Sequence, residues 1–293
     1  MHAIIGITGN VGGATARALL AAGKKVRGIV RDKSKAAAWE AAGVELAVVD
    51  VLDPSALGEA LRGAEGVFVM VPPNFTPTAN YPETRAIIAS LRQTLDTVRP
   101  AKAVFLSSVG AHRQHGLGLI TQSHILEQEM QSLPVAKAFI RAAWFMDNCQ
   151  WDIGPARERG EIEAFLDPLD RPFPMVATED IGALAAKTLQ EEWSGNRYLE
   201  LEGPRRYSQL DVAEILSRLL HSPVRAVPVP RDQWTALFEK RGTPKNRTAP
   251  RVEMLDGFNS GWIDFERNDT ERAQGVCTLD KVLERLIRKS ASQ

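Results

Sequence analysis

The sequence predicts an α/β protein whose core is a doubly wound parallel sheet, accompanied by a smaller α/β lobe. Three observations predict this class. Short apolar runs alternate with longer segments of helical periodicity through the first half of the chain, and this alternation is typical of βαβ units. The runs are nearly all apolar, as expected for strands that helices cover on both faces. After about Trp144 the alternation ends and prolines and glycines become frequent, which indicates a second, less regular lobe.

Six strands are predicted in the first half, because each run is short and rich in β-branched residues. They are Ala3–Thr8, Lys25–Val30, Val44–Val49, Gly66–Val71, Ala103–Ser108 and Ala136–Arg141. Five helices lie between them, where apolar residues recur at helical spacing. They are Gly13–Ala22, Ser34–Ala42, Pro54–Leu61, Pro82–Val98 and Ile120–Ser132. Right-handed crossovers then place the ligand beyond the carboxyl ends of the strands.

Fewer elements are predicted beyond the break in the pattern. They are the strands Ile162–Phe165 and Tyr198–Leu201 and the helices Glu179–Glu191, Ser208–Leu220 and Leu279–Lys289. We therefore divide the chain into residues 1–150, which form the main sheet, and residues 151–293, which form the smaller lobe and from which segments can return to the sheet. Lys240–Arg251 is rich in proline, glycine and charge, and it is predicted to be a mobile loop or lid.

Charge and composition exclude several classes of protein. Lys and Arg number 36 and Asp and Glu number 36, so the chain lacks the basic excess of a general nucleic-acid binder. No apolar run approaches the ~18 residues that span a membrane. The first residues lack the basic leader of a signal peptide, and two cysteines, Cys149 and Cys277, fit a reducing compartment. We expect a cytoplasmic protein, monomeric or homodimeric, that binds neither nucleic acid nor membrane.

The most specific motif joins the first strand to the first helix. Gly9 is expected to adopt backbone angles that a Cβ would forbid, and the missing side chain at Gly12 to let a pyrophosphate approach. The N–H groups and the positive end of the helix would then hold the phosphate oxygens. We predict a dinucleotide site of the Rossmann type, with a glycine turn that binds nothing as the alternative. The predicted contacts are Gly6, Thr8, Gly9, Asn10, Val11 and Gly12.

The glycine spacing is G-x-x-G-x-x-G, and further motifs follow at the ends of later strands. With these, the sequence resembles the NmrA-like family of atypical short-chain dehydrogenases/reductases up to about residue 230. The resemblance rests on the glycine loop and on Val30–Asp32, Val49–Val51, Val69–Pro73, Phe105–Ser108, Ile140–Asn148 and Ala177–Gly182. It implies that residues 1–150 bind a nicotinamide dinucleotide and that residues 151–293 bind the substrate.

The residues after the second strand bear on the choice between NADP(H) and NAD(H). Arg31 can pair with a 2′-phosphate in a bidentate way, and Lys35 adds charge nearby. Asp32 complicates this assignment, because an acid at this place hydrogen-bonds the ribose 2′-hydroxyl of NAD. We predict NADP(H), with a solvated turn as the alternative interpretation of Arg31–Lys35. The resemblance implies further cofactor contacts at the ends of the other strands: Asp50, Val51, Val71, Pro72 and Ser107.

The acid–base pair of ordinary short-chain reductases is missing. Those enzymes use a Tyr-x-x-x-Lys pair, and none of Tyr81, Tyr198 and Tyr207 has a lysine four residues later. Many NmrA-like enzymes carry a lysine early in the helix after the fifth strand, and the corresponding segment, Thr121–Glu127, has none. His124, with Ser123 beside it, is therefore the candidate proton donor. His112 and His115 are further candidates, with ordinary loop or helix roles as the alternative, and no metal site is predicted.

An aromatic segment follows the sixth strand, where the resemblance places the substrate cleft. Trp144, Phe145 and Trp151 suit a flat aromatic substrate, and Asn148 matches a cleft position of the family. Core packing between the lobes is the alternative for most of these aromatic residues, and for Phe165 and Phe173. We predict substrate contacts at Trp144, Phe145 and Asn148.

Two functions from different classes fit these observations. The first is an NADPH-dependent reductase of quinones, azo compounds or similar electron-poor aromatic molecules. Such a reductase can dispense with the tyrosine, because the reduced product is a stabilised phenolate that water can protonate. The second is an NADP(H)-binding regulator that senses the redox state and acts through a protein partner. We favour the enzyme, by analogy with the family that the sequence resembles. A closed aromatic cleft over the nicotinamide would support the enzyme, and an exposed apolar patch in the second lobe would support the regulator.

Overall fold

The computed structural model describes residues 1–291. Its strands are β1 His2–Ile5, β2 Val26–Val30, β3 Glu45–Val48, β4 Gly66–Val69, β5 Lys102–Ser108, β6 Ala136–Ala142, β7 Trp144–Phe145, β8 Glu161–Ala164, β9 Met175–Val176, β10 Asn196–Glu202, β11 Arg225–Pro228 and β12 Glu271–Gln274. Its helices are α1 Asn10–Ala21, α2 Ala37–Ala41, α3 Pro54–Leu61, α4 Pro82–Val98, α5 Thr121–Met130, α6 Gln150–Arg159, α7 Thr178–Gln190, α8 Gln209–Leu220, α9 Trp234–Lys240, α10 Ala249–Ser260 and α11 Leu279–Ala291.

Eight strands form one parallel sheet in the order β12-β10-β6-β5-β4-β1-β2-β3. Successive residues of its strands face two different apolar cores, so that Ile4 and Phe68 pack on one side and Ile5 and Val69 on the other. The doubly wound parallel fold is thereby confirmed. The strand order reverses between β1 and β4, and in such sheets this reversal opens a ligand crevice at the carboxyl ends of the strands.

The smaller lobe consists of two short parallel pairs, β8 with β11 and β7 with β9, together with helices from α6 onward. The strand Tyr198–Leu201, predicted for this lobe, instead extends the main sheet as part of β10. The reason is that α7 crosses back over the sheet and returns the chain beside β6, where Leu199 and Leu201 join the main core. The main sheet therefore draws strands from both sides of residue 150.

The segment Lys240–Arg251 is more ordered than its composition suggests. A 3-10 turn covers Lys245–Arg247, and α10 begins at Ala249. Thr248 Oγ1 donates to the Lys245 carbonyl at 3.0 Å, and Arg247 Nη1 donates to the Thr76 carbonyl at 3.2 Å. Pro250 occupies the first turn of α10, a place that proline favours. The prediction of a mobile loop over this whole segment is wrong, because these contacts tie it to the main domain.

Within the described residues, no helix is both long and apolar enough to cross a membrane.

Candidate functional site

The turn between β1 and α1 depends on a glycine that the sequence analysis did not single out for its backbone. Gly6 has a φ of +80°, whereas Gly9 has a φ of −85° and a ψ of 169°. The prediction that Gly9 adopts forbidden angles is therefore wrong, since its conformation is extended and open to any residue. The Gly9 amide donates to the Gly6 carbonyl at 3.0 Å, which closes the turn.

Gly12 is needed by the loop itself. A Cβ at this position would lie 2.3 Å from the Gly6 carbonyl oxygen and 2.7 Å from the Gly6 carbonyl carbon. Close packing of the helix on the strand therefore requires this glycine, in addition to the predicted room for a pyrophosphate. A Cβ on Gly9 would have only the Gly6 oxygen, at 3.3 Å, within contact range. The open space of the loop is therefore above Gly9.

The amino end of α1 is free to bind an anion. No side chain caps it, and none of its first-turn residues is acidic. Thr8, Gly9 and Asn10 are exposed there, while Val11 and Gly12 are buried beneath them. The amide groups of a helix's first turn have no partner within the helix, and the dipole makes this end positive. The turn thus has the donors that a phosphate group needs.

Helix α1 is held in place by α7. A Cβ at Gly182 would lie 2.4 Å from the Ala14 Cβ and 2.6 Å from the Thr15 nitrogen, so the two backbones are in close contact. The start of α7 is fixed in turn, because the Thr178 amide and hydroxyl donate to the buried Asp147 at 3.0 and 2.9 Å. The Ala177–Gly182 motif therefore positions the glycine loop by packing.

In the segment after β2, the Asp32 carboxylate is bonded to the next turn, whereas Arg31 and Lys35 are exposed. Asp32 Oδ1 accepts from the Ser34 amide at 2.9 Å and from the Ser34 hydroxyl at 2.7 Å. These two bonds lower the pKa of Asp32 and hold its carboxylate on the following turn. Lys33 pairs with Glu40 at 2.9 Å. Arg31 and Lys35 are exposed, and neither forms an ion pair at contact distance within residues 1–291. The charge of Lys35 nevertheless contributes to the lowered pKa of Asp32.

The other predicted cofactor contacts lie at the carboxyl ends of β3, β4 and β5. Asp50 is exposed and accepts from the Leu52 amide at 3.0 Å. The Val51 carbonyl accepts from the Ser90 hydroxyl at 2.6 Å. Val71 and Pro72 are half-buried directly after β4. All of these residues therefore face the same edge of the sheet as the glycine loop, since the strands are parallel.

Ser107, at the end of β5, takes part in a buried charged network that the sequence analysis missed. Its hydroxyl donates to Glu127 Oε1 at 2.6 Å. Arg141 donates to both Glu127 oxygens, at 3.0 and 2.8 Å, and to Glu266 at 2.6 Å. Burial alone would lower the pKa of Arg141, but the hydrogen bonds and charges of Glu127 and Glu266 outweigh it and raise the pKa above its usual value. The guanidinium therefore stays charged. The network fixes α5 against the sheet and engages the Ser107 hydroxyl.

Ser123 and His124 lie in the first turn of α5, and both are half-buried. His124 Nδ1 is 2.8 Å from the Ala111 carbonyl oxygen. Because a carbonyl only accepts, Nδ1 carries the hydrogen, and Nε2 of the neutral ring is an acceptor. Tyr81 is close to this turn, but its hydroxyl donates to the Gly118 carbonyl at 2.8 Å, and burial raises its pKa. The phenol is therefore engaged in holding the turn.

His112 and His115 lie in the loop after β5, beside Trp262. The His115 ring stacks on Trp262 with centroids 5.2 Å apart, and the Arg113 guanidinium lies 4.2 Å from the same indole. Burial lowers the pKa of His112, and its buried Nδ1 has no partner within the described residues. Residues 1–291 contain no group of three or more His, Cys, Asp or Glu side chains arranged for a metal ion.

Some of the aromatic side chains after β6 pack in the core, and others are partly exposed. Trp144 meets Phe173 and Phe258 edge to face, at centroid distances of 6.0 and 5.1 Å, so it holds the lobe on the main sheet while part of its surface stays open. Phe145 and Asn148 are half-buried beside it. Phe165 packs against Trp234 and Phe238, so its role is core packing.

The parallel sheet with its order reversal, the glycine turn and the uncapped α1 define the class of this protein as a Rossmann-type α/β fold. The chain matches the family model described as the NmrA-like family over residues 2–253. It therefore belongs to the NmrA-like family, as its motifs indicated, and the match extends past the expected limit near residue 230.

Individual relatives include enzymes of known activity. An NAD(P)H azoreductase of Xenophilus azovorans is 28% identical over 247 residues, which is 84% of this chain and 83% of that protein. Two solved structures have a TM-score of 0.80 and 19% identity, over 98% of this chain and 100% of theirs. They are the NADPH-dependent quinone oxidoreductase of Escherichia coli with NADPH and the triphenylmethane reductase of Citrobacter sp. with NADP(H). At these identities the two structures establish a shared fold.

Proposed function

We propose that the protein is an NADPH-dependent reductase of quinones, azo compounds or similar electron-poor aromatic molecules. The observation that carries this proposal is the combination of an open anion-binding helix end with a crevice that contains aromatic side chains and no Tyr-x-x-x-Lys pair. The azoreductase relative, which aligns with 84% of this chain, supports the same class of acceptor.

The residues present fit a bound NADPH. The space above Gly9 and the uncapped first turn of α1 suit a pyrophosphate, as in other helix ends that bind phosphate. The unpaired guanidinium of Arg31 suits a ribose 2′-phosphate, because Asp32 is bonded to Ser34. Val71 and Pro72 would pass beneath the dinucleotide. These assignments support NADP(H) over NAD(H).

When bound, the cofactor would supply a hydride from its nicotinamide to the acceptor. The chain's own residues then bind the acceptor, orient it and exclude water from it. The Ser107–Glu127–Arg141 network ties the end of β5 to the second turn of α5. A neutral His124 has no proton to give at Nε2, so water, or the imidazolium form of His124, would protonate the reduced product. A quinone tolerates this weak acid, whereas a simple ketone does not.

A panel of acceptors tests the proposal. NADPH consumption is measured with quinones, azo dyes, aldehydes, imines and simple ketones, after NADPH and NADH affinities have been determined by titration. We expect turnover with quinones or azo dyes, little with ketones, and tighter binding of NADPH than of NADH. Tight NADPH binding without turnover of any acceptor would contradict the enzyme and favour the redox-sensing regulator of the NmrA-like type.

A further inference from the structure

Two of the most exposed large apolar side chains of the described residues touch each other. Phe75 is 53% exposed and Trp151 is 58% exposed. Their ring centroids are 6.4 Å apart and their planes cross at 87°, which is the edge-to-face arrangement that aromatic rings favour. The two rings thus form a contact with each other on the surface, outside both apolar cores.

The two rings come from chain segments on opposite sides of β5. Phe75 belongs to the loop that follows β4, and Trp151 lies in the first turn of α6, shortly after β6 and β7. In the sheet, β4 and β6 flank β5 on either side. Neighbouring strands are about 4.8 Å apart, so the two chain segments start roughly 10 Å apart with the end of β5 between them. A contact between these segments therefore spans the carboxyl end of β5, next to the first turn of α5.

The backbones that carry the rings are anchored. The Asn74 carbonyl accepts from Gln122 Nε2 of α5 at 2.9 Å, and the Thr76 carbonyl accepts from Arg247 at 3.2 Å. The loop is thus fixed on both sides of Phe75, to the main domain and to the segment before α10. On the other side, Ile153 and Cys149 are buried around Trp151 and hold the start of α6. Side-chain rotation can move the rings while the backbone stays in place.

We propose that Phe75 and Trp151 form an aromatic clamp that selects extended, flat aromatic acceptors. This inference rests on the proposed reductase function. A diaryl acceptor entering between the rings would replace their edge-to-face contact with two ring contacts and bury apolar surface that is now exposed. A single-ring quinone is too small to contact both rings at once and gains less. The clamp thus determines selectivity among acceptors.

Kinetics of Phe75→Ala and Trp151→Ala test this selectivity. The readout is the kcat/KM for a diaryl azo dye divided by that for p-benzoquinone, which cancels effects on the cofactor. We expect this ratio to fall about three- to tenfold in either variant, because each variant loses one aromatic contact with the dye. Val276→Ala, at a strongly exposed apolar residue after the outer strand β12, is the control and should keep the wild-type ratio. Trp151→Phe, which retains a ring, should recover most of it.

A binding measurement separates the clamp from the reductase activity. The same azo dye is titrated into protein saturated with NADP⁺, where no reduction can occur. Three- to tenfold weaker dye binding in both alanine variants supports the clamp, even if no acceptor is ever turned over, in which case only the proposed function fails. Unchanged dye affinity and an unchanged kinetic ratio in both variants would overturn the clamp, as would wild-type protein that does not bind the dye.

Discussion

At the scale of single residues, we expect Arg31 to determine whether NADPH or NADH binds more tightly. Its guanidinium has no carboxylate partner within residues 1–291, whereas Lys33 two positions on is paired with Glu40. We predict that Arg31→Ala weakens NADPH binding about ten- to a hundredfold, the effect of losing a charge-assisted bond of roughly 1.5–3 kcal/mol, and leaves NADH nearly unchanged. Lys33→Ala is the matched control. Wild-type protein that binds both cofactors equally well would instead assign the ribose to Asp32.

Gly12 and Gly9 separate the structural and ligand-binding roles of the loop. Because a Cβ at Gly12 would meet the Gly6 carbonyl at 2.3 Å, we predict that Gly12→Ala lowers the free energy of unfolding by about 1–3 kcal/mol. A Cβ at Gly9 would meet only the Gly6 oxygen, at 3.3 Å, so Gly9→Ala should cost less stability than Gly12→Ala and mainly weaken NADPH binding. Thermal unfolding and NADPH titration of both variants check this. A Gly12→Ala protein of wild-type stability would contradict the close packing described here.

His124 is expected to contribute little to quinone reduction. Its Nδ1 hydrogen is held by the Ala111 carbonyl, and general acid catalysis contributes about 10²–10⁴-fold only where the proton transfer is difficult. We predict that His124→Ala lowers quinone turnover by less than about tenfold, with NADPH affinity retained. His115→Ala, which removes an exposed histidine, serves as the control. Efficient ketone reduction that disappears in His124→Ala would identify His124 as an essential acid.

At the scale of elements, the first turn of α6 makes stability depend on pH. Burial raises the pKa of Asp152 to about 7, opposed by a hydrogen bond with the Cys149 thiol. The carboxyl ionises near pH 4 in the unfolded chain, so its stabilising effect is complete below about pH 4 and is lost as the pH rises through about 7. Asp152→Asn removes this titration.

We compare the free energy of unfolding of Asp152→Asn with that of wild type at two pH values. We predict that the difference shifts in favour of the variant by about 1–2 kcal/mol from pH 4 to pH 8. The shift is modest because solvent reaches part of the Asp152 carboxyl. The measurement is chemical unfolding across this range. Glu158→Gln, on the exposed side of the same helix, should follow the wild-type curve. A parallel loss of stability in wild type and Asp152→Asn over the whole range would show that folding does not raise the pKa of Asp152.

The elements show what periodicity can and cannot predict. The buried strands and their helices were predictable because each element repeats a local pattern. The place of β10 was not, because Leu199 and Leu201 look the same in a small lobe and in a main sheet. The roles of Gly6 and Gly9 were exchanged, since glycine spacing does not reveal which φ is positive. Contacts between distant segments, such as Arg141 with Glu266 and Phe75 with Trp151, leave no local pattern.

At the scale of the whole molecule, a rigid parallel sheet presents one crevice to which both halves of the chain contribute. The main domain supplies the glycine loop and Arg31, and the later chain supplies α7 behind the loop and Trp151 against Phe75. The fold class and the family followed from the sequence, because they depend on short local motifs. The acceptor does not follow from such motifs, since it depends on side chains that meet only in the folded protein.

The most direct test of the proposed reductase is the fate of NADPH already bound to the wild-type protein. The complex is mixed rapidly with p-benzoquinone, and the absorbance of the bound NADPH is followed through one turnover, beside free NADPH at the same concentration. The account predicts that bound NADPH is consumed faster than free NADPH, at a rate that saturates with quinone. Bound NADPH that is tightly held and oxidised no faster than free NADPH would contradict it.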